Sequence, residues 1–448
     1  MLPLEKARAC AQSLVDKARA AGADAADAIY SGQGSQSVQV RLGEIEHVDR
    51  SEGEEIGLRV FVGQQSASVA SSEFSDETLA ELVKRAIAMA REAPEDRFAG
   101  LAPAEMLAHA PFPDIESEDR SEDDPETLRA RALAAERAAL AVPLVTNSSG
   151  ASAGSSSGTL ALATSTGFCG AYRSTGHSIS ASVIAGEGAT MQRDSAWHGV
   201  RHLDELDAPE DVGRLAGTRA AARLNPSRPK PGRYPVLFDP RVAGSLLGHL
   251  TGAVNGASVA RKSSFLQDKL GERIFTAGVR IVDDPLRPRG LRSRSFDEEG
   301  LPVQLVAIID NGVLETWIAD SASARQLGIR PTGHAVRGAS GPPGAAPSNL
   351  YLDVGKRSRG ELLAAFPEAV LVTELIGQGV NGVTGDYSRG AAGFMVRGGE
   401  IAEPVAEITI ASNLIDMFAT LEPGTDLEFR RGVDSPTLLI PEMTVAAA

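Results

Sequence analysis

Between Leu375 and Leu414 the chain gathers side chains able to hydrogen-bond a ligand: Asn381, Asp386, Tyr387 and Arg389. An aspartate, a phenol and a guanidinium close together can hydrogen-bond an extended backbone or its charged ends. They are expected in a tight polar loop, Thr384–Gly390, set between strand-length apolar runs and glycine turns. The alternative is that Asp386 and Arg389 only brace their own turn. Gly377, Gly379 and Gly382 spell G-x-G-x-x-G, but Val-Thr-Gly-Asp-Tyr follows, a turn where a dinucleotide site needs a helix. Gly150–Gly154 and Gly154–Gly158 match the nucleophile pattern G-x-S-x-G. Both sit in a serine-glycine tract leading into a strand, so neither is read as catalytic.

The histidines are the other candidates. His198 and His202 are four apart, a spacing that on a helix would put both imidazoles on one face, with Asp194 and Asp204 as further oxygen donors. Gly199 lies between them and no helix signal surrounds them, so a strand-end pair beside Trp197 is the simpler expectation. His249 lies in a helix expected over 239–254, opened by Asp239 as cap and Pro240 behind it. It reads as a helix-face histidine packed beside Leu246 and Ala253.

The elements that position these groups must come from an aromatic-poor chain. Aromatics make up 4% of the 448 residues and glycines number 46, so cores of Ala, Leu, Val and Ile with many glycine turns are expected. Forty-four basic against 59 acidic residues give a net charge of −15, which argues against nucleic-acid binding. Two distant cysteines, Cys10 and Cys169, suit a reducing compartment rather than a disulfide framework. The N-terminus has no continuous apolar segment of a signal peptide, and no run approaches the about 18 apolar residues that span a bilayer. A cytoplasmic protein without membrane contact is the expectation.

Clustered strands and helices, rather than strict alternation, predict an α+β fold. Residues 1–95 read as an αβββα unit: a helix from Leu4 to near Gly22, a hairpin over Ser37–Val48 about Gly43, a strand Ile56–Val62, and a helix capped by Ser75 that stops before Pro94. Residues 96–225 read as a linker (96–122), a helix from Asp124 to about Val142, a small-residue turn region Asn147–Gly158, paired strands Thr159–Thr164 and His177–Ala185, and a helix near 208–223. Residues 226–448 read as a strand-rich domain, with hairpins at Asn311-Gly312 and over Phe394–Ile401.

Several blocks in order carry a family resemblance: Arg41–Val48, Gly57–Gly63, Ala161–Phe168, Ser264–Gly271, Ile281–Ser293 and the 375–414 stretch. Together they resemble the PmbA/TldE side of the TldD/PmbA family, the "modulator of DNA gyrase" proteins linked to metal-dependent peptide cleavage. The resemblance implies a two-part α+β protein that pairs with a TldD-type zinc subunit to digest unfolded or small peptides in an enclosed site. TldD-type subunits carry an HExxxH motif in the equivalent helix. Anchored on Arg261–Phe265, Leu246 and Leu247 fall where its first two residues would be and Thr251 where its last would be. No cysteine follows Cys169, whereas the TldD-type site uses one near the C-terminus. The resemblance therefore implies zinc on the partner, no catalytic or metal residue on this chain, and Asn381, Asp386, Tyr387 and Arg389 as contacts to peptide or partner. Two other readings stay open. One is a self-associating hydrolase, a homodimer using His198 and His202. The other is a binding or modulator protein of a toxin–antitoxin or gyrase system.

Overall fold

Two six-stranded sheets organise the chain on either side of the proline-rich segment 225–231, with smaller sheets of five and two strands in the second half, in the computed structural model, which describes residues 1–121 and 123–447. The expected linker ends at residue 122, and the expected last domain at residue 448; both lie outside the described residues. The first sheet contains β1 (Ala25–Arg41), β2 (Glu44–Val62), β3 (Gln65–Ser71), β4 (Val145–Thr164), β5 (Cys169–Ala185) and β6 (Gln192–Val200), in the order β3-β2-β1-β4-β5-β6. Strands from before and after the 96–122 segment thus share one ladder, with β1 pairing antiparallel to both β2 and β4.

Helices cover the two ends of these long strands. α1 (Leu4–Ala20) and α2 (Asp76–Glu92) pack on Ala26, Tyr30, Leu58 and Val60 at one end. α3 (Pro125–Leu140) and α4 (Pro209–Ala222) pack on Val38, Ala151, Ile179 and Ala181 at the other. Ser75 and Asp124 cap α2 and α3 by accepting from the backbone N–H of Thr78 and Thr127. The middle of the sheet is built from small residues.

Three expectations about this half are corrected. Asn147–Gly158 is not a turn region but the heart of β4, paired on both sides, as in Ser155 with Gln36 and with His177. The strand expected at Ile56–Val62 is the second half of β2, and the third strand of the unit is Gln65–Ser71. The connection between β4 and β5 shrinks to residues 165–168.

In the second half, β7 (Gly232–Phe238), β8 (Glu368–Ile376), β9 (Asp386–Arg397), β10 (Glu400–Asn413) and β11 (Leu438–Ala447) form a ring, because β10 pairs with β11 as well as with β9. Alternate residues face opposite ways: Val236 and Phe238 join the main core, while Leu237 joins a smaller cluster with Leu362 and Leu371. α5 (Pro240–Ala253) lies on the main core through Leu246, Leu247 and Leu250, each 1% exposed or less. Burying each leucine contributes about 1.5–3 kcal/mol. Asn311 and Gly312 both take positive φ, 47° and 81°, as a tight hairpin turn demands.

The halves are tied together by polar and aromatic contacts. Asp27 of β1 is held by Arg59 of β2 and by Arg337 from the second half, all buried. Phe168 packs edge-on against Phe296 with ring centres 4.9 Å apart. Burial pushes the neighbouring Asp297 and Glu299 carboxyls up, to about 6 and about 7.

Candidate functional site

The most informative polar group lies where α5 meets β9. Strand alternation puts Tyr387 and Arg389 on one face of β9. Tyr387 is 1% exposed, and its ring meets that of His249 from α5 edge-on, with centres 5.9 Å apart and planes at 81°. The His249 Nε2, Tyr387 Oη and Arg389 Nε atoms are all buried and lack a hydrogen-bond partner among the described residues. Burial pushes the Tyr387 phenol well above its ordinary value, with the nearby Arg389 guanidinium pulling the other way. Burial also holds the His249 imidazole below its usual value, and the Arg389 charge adds to that.

On the opposite face of the same strand the Asp386 carboxylate is bonded. It accepts from Thr384 Oγ1 at 2.6 Å and from Asn413 Nδ2 at 3.2 Å. These two bonds hold it below its ordinary carboxylate range. The Asn381 side-chain oxygen accepts from the N–H of Val383 at 2.9 Å and of Thr384 at 3.3 Å. Its own N–H donates to the Asp386 carbonyl at 2.9 Å. Gly379 must be glycine here, since a Cβ would lie 2.0 Å from the Ser388 carbonyl oxygen.

These positions revise the expected loop. The loop proper is 377–385, and Asp386–Gly390 already belong to β9. The aspartate, phenol and guanidinium therefore do not converge. Asn381 and Asp386 hold the turn, while Tyr387 and Arg389 face α5. His249, expected from sequence to pack beside Leu246 and Ala253, is a member of this group as well. A period of two applied from Tyr387 would have paired Tyr387 with Arg389, but nothing local points to α5.

The other histidines are accounted for separately. His198 lies in β6 and accepts the Asp207 N–H at 3.1 Å, while His202, beyond the strand end, bonds the Glu116 carbonyl at 2.8 Å. Buried His177, not singled out in sequence, is 2.9 Å from Asp123 and 3.3 Å from Asp119, fastening those two aspartates to β5.

The residues on α5 do not fit a metal ion. Leu246 and Leu247 are buried in the core, and the Thr251 hydroxyl is engaged with the Gly248 carbonyl at 2.9 Å. The one imidazole faces a phenol and a cation, a poor donor set for a divalent ion. Among the described residues no group of three or more His, Cys, Asp or Glu side chains could hold one. Among those residues, too, no helix is long and apolar enough to cross a membrane.

Comparison with known proteins gives a consistent result. Residues 26–90, 118–224 and 231–447 match in turn domain 1, the central domain and the C-terminal domain of the PmbA/TldA metallopeptidases. The metalloprotease PmbA of Escherichia coli O157:H7 is 38% identical over 425 residues, covering 94% of this chain and 92% of that protein. A Haemophilus influenzae PmbA homologue is 36% identical, covering 96% and 94%. A proposed modulator of DNA gyrase from Bacteroides thetaiotaomicron superposes with a TM-score of 0.92 at 25% identity, covering all of both chains. TldE from Thermococcus kodakarensis shares the fold, with a TM-score of 0.86 at 20% identity over 97% of this chain and 99% of that one.

Proposed function

The chain belongs to the PmbA/TldE side of the TldD/PmbA metallopeptidase family, and from that premise we propose that it is an accessory subunit that binds no zinc itself. It completes a two-chain peptidase with a TldD-type zinc subunit and acts on unfolded or small peptides. The observation that supports this reading is α5, where two core leucines and a threonine stand where the family resemblance would put the metal-binding motif of a TldD-type subunit. Restoring ligands there would require burying an imidazole and a carboxylate in the core.

In this reading the chain's own contribution is binding and shape. Asn381, Asp386 and Asn413 hold the 377–385 loop in one conformation. Tyr387, Arg389 and His249 present hydrogen-bonding groups beside it. Cys10 and Cys169 are both free thiols, which accords with a place in the cytoplasm.

The test is to purify the chain alone and together with a TldD-type subunit, then measure association by sedimentation and cleavage of an unstructured peptide. Stable pairing, with cleavage above that of the TldD-type subunit alone, is the expected result. No association, or cleavage by this chain alone, would overturn it.

A further inference from the structure

We propose that His249, Tyr387 and Arg389 form a receptor for a peptide carboxylate, with the free C-terminus as its natural source. The proposal rests on the reading above that the chain handles peptides, and it names the chemistry that one site would recognise.

Three facts converge on an anion. First, all three side chains can donate: a guanidinium, a phenol and an imidazole N–H. By ordinary hydrogen-bond geometry none of their buried atoms His249 Nε2, Tyr387 Oη and Arg389 Nε is paired among the described residues, although Arg389 lies close enough to the Tyr387 hydroxyl to pull the phenol down. Second, Arg389 makes no ion pair among the described residues, in a chain with 59 acidic side chains against 44 basic ones. The next arginine on the same strand, Arg397, by contrast reaches both Glu368 and Glu403. The nearest acid in sequence, Asp386, points to the other face of β9 and is engaged there. Third, leaving a buried donor unpaired costs about 1–3 kcal/mol, so three in one place call for an acceptor brought from outside. A carboxylate offers two oxygens, one for the guanidinium fork and one for the phenol and imidazole.

Access is available along α5. Gly248 and Gly252 flank the His249 turn and are exposed, and a Cβ at either would meet nothing within 4 Å. Those two positions leave α5 without side chains on either side of His249 in the sequence, so none stands there to block an approaching chain.

The experiment uses the intact chain without any partner, so that its failure is separable from failure of the two-subunit reading. The His249 ring resonances, identified by their loss in His249→Gln, are followed while three peptides are added. These are N-acetyl-trialanine with a free C-terminus, its C-terminal amide, and an N-acetyl Ala-Glu-Ala amide. Saturable shifts with the first, absent with its amide, are expected. Shifts with the glutamate peptide instead would keep the carboxylate and assign it to an acidic side chain. Equal shifts with the plain amide, or none with any peptide, would overturn the proposal. Arg389→Gln should weaken binding about tenfold or more. Tyr387→Phe, which removes only an unpaired hydroxyl and should fold normally, should weaken it about threefold or more. Unchanged binding in both variants would equally overturn it. If carboxylate binds yet no pairing with a TldD-type subunit occurs, the receptor stands and the subunit reading falls; the reverse result sinks only the receptor.

Discussion

The two faces of β9 begin within one residue of each other and end in opposite states. On one, Asp386 meets Thr384 and Asn413, and each partner is itself fixed by the loop it closes. On the other, Tyr387 and Arg389 meet His249, and buried polar atoms of all three are left without partners. Composition does not separate these faces, since both are polar and both border a glycine-rich loop. Satisfaction does: a bonded cluster braces the fold, whereas an unbonded one raises its free energy until something docks.

The contrast can be broken at several points. The largest effect should come from α5 itself. Leu247→Glu places a carboxylate in the core and should destabilise the chain by about 3–5 kcal/mol, read from a denaturant midpoint; a mild effect would mean that this helix face can host polar ligands. Next is Arg389→Gln in the proposed pair with a TldD-type subunit, where peptide turnover should fall about 10- to 100-fold while the melting temperature holds. Asp386→Ala should do the reverse. It should lower stability by about 1 kcal/mol through the loosened loop and leave carboxylate binding by the isolated chain intact. If it abolished binding instead, the division between the faces would be false.

The smallest effect is one of pH. His249 is depressed below its ordinary 6.5 in the folded chain, so the unfolded chain takes up its proton first as pH falls. Stability from this group is therefore complete above about 6.5 and declines as pH drops below it. His249→Gln should flatten that part of the stability profile slightly. An unchanged slope between wild type and variant would show that the imidazole is not desolvated as described.

Much of the frame was legible in sequence because it rests on local signals. The Ser75 and Asp124 caps, the Asn311-Gly312 turn and the Asp239-Pro240 start of α5 each act through neighbours in the chain. β4 was not legible. Its serine-glycine middle has no apolar alternation and is strand only because β1 and β5 pair with it from both sides. The start of β9 was misjudged for a related reason: a tyrosine and an arginine at a core border look like loop residues until the helix opposite them is known. Likewise, His249 and Tyr387 lie far apart in sequence, and no pattern in one segment encodes their contact. The absence of the metal-binding motif in α5, in contrast, could be read directly, since Leu246 and Leu247 are apolar whatever the fold does with them.

The most direct test of the account is the zinc content of this chain, purified alone, incubated with excess zinc and exhaustively dialysed. Retention far below one ion per chain, with no peptide cleavage, is predicted. One tightly held zinc per chain accompanied by peptide cleavage would contradict the accessory role, and with it the reading of α5.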